Sequence, residues 1–319
     1  MGRSRRFGVA AGLLGLLTLA ACETPQVETR PAARPDRVAV PPPPPPVPAP
    51  SAESEQLAIY YQRLQNDLLT QGLLRGDGGG PDTPFTDTIL ARNFVRIALF
   101  DEYVSDGDVL RPRATLSRLR RWDEPVRMSV EFGASVPPDQ RARDRATVAA
   151  YAARLSRVSG LSISQTDQRP NFHVLIVNED DRRAIAPRLQ EIVPGIATSS
   201  LRAIVNLPRD QLCIVVAFSQ GGSASYSKAI AVIRGEHPPL LRTSCIHEEL
   251  AQGLGLANDS PAARPSIFND DEEFGLLTTH DEYLLRILYD PRLRTGMAPA
   301  EAAPIARQIA RELLNGGSS

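Results

Sequence analysis

The residues best suited to chemistry lie in one run, Cys245 to Ser260, which reads C-I-H-E-E-L-A-Q-G-L-G-L-A-N-D-S. His247 followed by Glu248 invites a zinc-hydrolase reading, in which one helix face presents two histidines four residues apart with a general-base glutamate between them. The run fails that test at once, because the position four residues after His247 is Ala251, which has no donor atom. The other three histidines are scattered. His173 falls in an apolar strand-like run and His237 precedes two prolines, so both read as structural. His280 is the best placed of the three, since it opens a helix beside Asp281, where a carboxylate favours the N-terminus. Ser223, Ser225 and Ser227 follow Gly221-Gly222 in a turn, with no nucleophile-elbow pattern around them.

Shifted by one residue, the run resembles the extended motif H-E-x-x-H-x-x-G-x-x-H-D of metzincin zinc peptidases. Glu249 falls on the general-base glutamate. Gly255 falls on the glycine where the active-site helix turns, flanked by Leu254 and Leu256 as in matrixins. Asp259 falls on the aspartate that follows the third histidine in adamalysins. Glu248, Gln252 and Asn258 stand where the three zinc histidines would be. The likeness extends over roughly residues 119–290: Trp122-Asp123 with Pro125-Val126 looks like the start of a matrixin catalytic domain, and Leu276 to Tyr289 resembles its closing helix. Ser266 to Asp270 lies where a methionine turn would be, with Phe268 in place of the methionine, and Met297 lies beyond. The whole chain also resembles a proteobacterial lipoprotein family of unknown function with an E-E-x-x-Q-x-L-G-L-x-N-D segment. The resemblance implies an α+β fold of the α/β/α-like metzincin type, with a mixed twisted sheet, an active-site-type helix and a helical C-terminal part.

Chemistry limits what that fold can do here. Catalytic zinc needs three good nitrogen, sulfur or carboxylate ligands and one open position. One carboxylate and two neutral amides suit hard cations better, and without zinc Glu249 has no acidified water to activate. The expectation is therefore a pseudopeptidase acting as a binding or scaffold module, with Glu249 as a vestigial base. No cofactor is expected, a divalent metal being the alternative. The alternative is a metallohydrolase with a noncanonical site built around Glu248, Glu249, Gln252 and Asn258.

The elements that must carry these residues are legible from periodicity. Helical spacing predicts helices over 53–74 and 89–103, forming an N-terminal helical segment, residues 52–118. The main domain, 119–319, begins near Trp122. Alternation or apolar runs predict strands over 126–132, 161–164, 172–177, 212–218 and 228–234. Helices are predicted over 140–158, 180–192, 241–254, 279–289 and 300–314. The order suggests a mixed sheet packed on one side by helices. The strand near Lys228 to Arg234 is expected at an edge, where an extended peptide or an envelope protein could pair with it.

The amino-terminal residues suggest where the protein works. Arg3, Arg5 and Arg6 precede an apolar run, Val9 to Leu19, too short for a comfortable membrane span. Leu19-Ala20-Ala21-Cys22 looks like a lipobox, so that residues 1–22 form a lipoprotein signal peptide and lipobox; the resemblance implies cleavage before Cys22 and acylation of Cys22 as a membrane anchor. Glu23 rather than Asp after the cysteine favours the outer membrane, facing the periplasm, over the inner. Residues 23–51 are proline-rich and read as an extended tether reaching on the order of 80 Å at roughly 3.1 Å per residue. In an oxidising compartment Cys213 and Cys245 make an even pair and suggest one disulfide, the alternative being two buried thiols. A net charge of -1 gives no reason to expect nucleic acid.

Overall fold

The structure, a computed structural model, describes residues 48–269 and 271–316. The expectations for the signal segment, Cys22 and the tether up to residue 47 lie outside these residues, as does Asp270. The described residues belong to one compact unit. Among them no helix is long and apolar enough to cross a membrane.

Five strands make the central sheet: β3 (Val126–Phe132), β4 (Ile163–Gln165), β5 (Phe172–Val177), β6 (Cys213–Ser219) and β7 (Tyr226–Arg234). Their order is β4-β3-β5-β7-β6. The first four pair in parallel, and β6 runs antiparallel to β7 with Cys213 opposite Ile233. The sheet is therefore mixed and the fold α+β, as expected. The edge assignment is corrected: β7 lies between β5 and β6, and most of its residues are buried, so the edge strands are β6 on that side and β4 on the other. The apolar run of β7, Ala229 to Ile233, serves both faces of the sheet, as a central strand must.

Helices cover both faces rather than one. On one side α3 (Pro138–Ser159), α7 (Pro239–Gln252), α8 (Thr279–Leu288) and α9 (Pro299–Asn315) share a core with Phe172, Val174 and Ile176 of β5. On the other, α5 (Ala186–Ile192) and α6 (Thr198–Val205) pack Leu189, Ile192 and Ile204 on Leu175, Val177, Ile230 and Val232, with α4 (Glu179–Arg183) beside α6 and β5. The single helix expected over 180–192 is thus two, parted just before Pro187, whose ring removes a backbone donor.

The amino-terminal segment is not wholly helical. Helices α1 (Ala52–Thr70) and α2 (Asp87–Ala98) are followed by an antiparallel hairpin, β1 (Phe100–Asp106) and β2 (Val109–Leu116). The helix expected to reach residue 103 therefore stops at Ala98. Leu90, Phe94 and Ile97 of α2 belong to the same core as the sheet and α9. Helix α1 supports α7 directly: Gln65 accepts a hydrogen bond from the Leu241 amide at 3.0 Å, satisfying one of the helix's orphan N-terminal donors. Arg242 of α7 and Asp144 of α3, both buried, pair at 2.8 Å. These contacts fix the helix that carries the chemistry.

Candidate functional site

Helix α7 lies against the sheet and ends at a tight turn. The Trp122 indole donates to the Gly253 carbonyl at 2.9 Å, and the Tyr289 hydroxyl donates to that of Leu254 at 2.8 Å, so the last carbonyls have partners. Gly255 holds φ at 125°, and a Cβ there would sit 2.4 Å from the Arg120 carbonyl oxygen. Only glycine fits both the conformation and the space. The chain then turns back so that Asp259 faces Gln252, whose amide donates to it at 2.9 Å.

The side chains of α7 diverge. Glu248, Glu249 and Gln252 line a cleft of about 390 Å³ together with Asp259, but Asn258 does not. The Asn258 amide donates to the Arg96 and Asp259 carbonyls, each at 2.8 Å, and so ties the turn to α2. The three positions of the sequence motif therefore do not converge as one ligand set. His247 points the other way: its ring stacks on Tyr151 at 3.9 Å between centroids, and its Nδ1 accepts from the Leu277 amide at 3.1 Å. Burial, and secondarily Arg154, push its pKa down to about 3, so it is a neutral packing group.

The cleft has contributors that no spacing announces. Glu102 and Tyr103 of β1, Pro112 of β2, Asp210, Leu212, residues 213–215 at the start of β6, and Glu272 add to its lining. It thus holds six carboxylates and, among the described residues, no basic side chain. Burial first, then the carboxylates of Glu102 and Asp259, hold Glu249 well above the ordinary carboxylate range. Glu248 is raised in the same direction, first by burial and then by Asp259, Glu249, Glu272 and Glu102. Glu249 is only 4% exposed, and its Oε2 has no hydrogen-bond partner.

Cys213 and Cys245 form a disulfide, linking the first residue of β6 to α7 across 32 positions. The bridge joins one wall of the cleft to its floor. Cys213 Sγ lies in a group with carboxylate oxygens of Glu248 and Glu249, all within 4.8 Å of one another.

At the start of α8, Asp281 gathers the turn at Ser266. It accepts from Ser266 Oγ at 2.5 Å, from the Ile267 amide at 3.1 Å and from both the amide and the hydroxyl of Thr278, closing a capping box on α8. His280 is fully buried against Asn93, with its Nε2 3.1 Å from the amide nitrogen, and His237 is buried against Tyr61. His173 presents Nδ1 to Glu131 at 3.1 Å and to Ser129 at 3.2 Å. It borders a second cleft, about 790 Å³, that also includes Ser223, Ser225 and Ser227. Those hydroxyls serve the local backbone: Ser225 accepts from the Asp123 amide, Ser223 from the Ser225 amide, and Ser227 donates to the Phe218 carbonyl.

The family model for DUF2927, protein of unknown function, matches residues 87–308, and the chain belongs to that family. No curated protein and no solved structure matches it.

Proposed function

We propose that this chain is an exported lipoprotein, anchored through Cys22 to the periplasmic face of the outer membrane, whose body is a metzincin-like binding module without zinc catalysis. The sheet order with one antiparallel edge strand, the α7 helix beside it and the glycine turn at Gly255 support the metzincin-like reading. One observation carries the loss of zinc chemistry. The side chains that α7 turns into the cleft are Glu248, Glu249 and Gln252, while its one histidine is stacked on Tyr151 outside it. A floor of carboxylates and an amide, with no imidazole or thiolate, suits a hard cation better than a catalytic zinc that acidifies its water. What the cleft keeps is a docking surface. The open edge of β6 forms one wall, so an extended peptide from an envelope partner would pair with its backbone.

The test is zinc addition to the metal-stripped protein with a panel of unstructured peptides as substrates. The expected result is no cleavage. Sub-micromolar zinc binding with peptide cleavage that disappears in Glu249→Gln would overturn the proposal and establish the metallohydrolase alternative. The anchor is tested separately: labelled palmitate is expected to be incorporated in cells expressing the natural chain and not Cys22→Ala, and labelling that survives this substitution refutes it.

A further inference from the structure

We infer that the floor of the acidic cleft is a calcium site, with the carboxylates of Glu248 and Glu249 as its first protein ligands. The inference rests on the reading of the cleft as a place without zinc catalysis, and it names what the cleft holds instead.

A cluster of acids is ordinary on a protein surface, where water screens it. This one is recessed, and six carboxylates line it with no lysine, arginine or histidine among its described lining residues. Glu249 sets it apart. That side chain is 96% buried, lines the cleft beside Glu248, and leaves Oε2 without a hydrogen-bond partner. A buried, unsatisfied carboxylate oxygen is costly, and a cation bound there removes the cost.

Distance and donor type select the ion. Carboxylate oxygens of Glu248 and Glu249 lie within 4.8 Å of one another. A calcium ion bonded to each at roughly 2.3–2.6 Å spans such a gap. Cys213 Sγ is the third atom of that group, but its disulfide to Cys245 removes it as a thiolate ligand. The remaining donors near the pair are oxygens. Gln252 directs its Nε2 to Asp259, which leaves its Oε1 as an acceptor, and Asp259 is a carboxylate in the same cleft. An all-oxygen set favours a hard cation over zinc. Calcium accepts six to eight oxygens in irregular geometry and takes water for the missing ones. Magnesium demands near-octahedral geometry and dehydrates reluctantly, so an irregular set built from two adjacent helix residues suits calcium.

Calcium titration of the chelator-treated, disulfide-intact protein, followed by calorimetry, tests this, with zinc and spermidine titrated in parallel. One calcium is expected per chain, with affinity at least tenfold weaker in Glu249→Gln and in Glu248→Gln. Terbium provides a readout on the natural chain that needs no substitution: as a calcium surrogate it is expected to show emission sensitised by Tyr103, which lines the same cleft, and calcium is expected to displace it. Absence of calcium heat, absence of displaceable emission, equal affinity in both folded variants, or an equal response to spermidine each overturns the calcium site. In those outcomes the zinc-free reading stands. Tight zinc binding with peptide cleavage overturns both.

Discussion

Replacing Cys213 and Cys245 together with alanine is expected to lower folding stability by about 4 kcal/mol. The bridge closes a loop of 32 positions that contains β6, the turn after it, β7 and the start of α7. In the chain-entropy treatment, a loop of that length restricts the unfolded chain by about 12 cal/mol/K, or about 4 kcal/mol at 25 °C. Both sulfurs are buried, so the substitution also removes packing, which adds to the loss. Urea unfolding measures it, and the chain supplies a reporter: its single tryptophan, Trp122, is buried under the end of α7 and donates to Gly253. With a slope of about 3 kcal/mol per molar urea, the midpoint is expected to fall by about 1.3 M. A midpoint within about 0.3 M of the natural protein, at unchanged slope, would refute the reasoning. The loop would then be held together in the unfolded chain by something other than the bridge, or the bridge would be absent.

Three further substitutions probe the parts that shape the site. Gly255→Ala is expected to lose about 3 kcal/mol or more by urea melt, since it combines a backbone conformation reserved for glycine with a clash on Arg120; a loss below about 1 kcal/mol contradicts the turn. Asp281→Ala strips partners from Ser266, Ile267 and Thr278 in a fully buried place, and a loss of about 3 kcal/mol or more is expected from the same measurement, with no change if the capping box is unimportant. Glu131 is held down to about 2, first by its hydrogen bond from His173 and then by Arg188, so its folded pKa lies below its unfolded value. Its contribution is therefore fully present above about pH 4.5 and lost as the pH falls towards 2. Acid titrations of the natural protein and Glu131→Gln should differ near neutrality and converge at pH 2; curves that stay parallel exclude this linkage.

The elements with strong periodicity were legible in the sequence for physical reasons. The run Phe172 to Val177 could only be a strand buried on both faces, and the spacing of Val148, Tyr151, Ala152 and Leu155 marked the core side of α3. Glycine 255 marked the turn after α7, and the cysteine pair is bonded as expected. The hairpin β1–β2 escaped because Phe100 and Tyr103 continue the helical spacing of Ile97 and Leu99, and because β2 is mostly exposed and so lacks alternation. The edge was misplaced because strand order depends on pairings between distant segments, which the run Lys228 to Arg234 does not itself display; the strand is interior. The cleft was half legible. Glu248, Glu249, Gln252 and Asp259 sit in one run, whereas Glu102, Asp210 and Glu272 arrive from distant segments and have no spacing to reveal them.

The cleft also gives the molecule an electrical direction. With Glu248 and Glu249 set aside, its four other acids still outnumber the chain's whole net charge of -1, so the rest of the chain carries a compensating positive excess. Such a charge distribution behaves as a dipole whose negative pole is a recessed opening, and recessed walls concentrate the field at the mouth. An approaching cation is drawn to the opening and a polyanion is turned away from it, within the ~8 Å over which physiological salt leaves the field standing. Beside an anionic surface the same asymmetry is a torque, which turns the opening away from that surface and towards the solution.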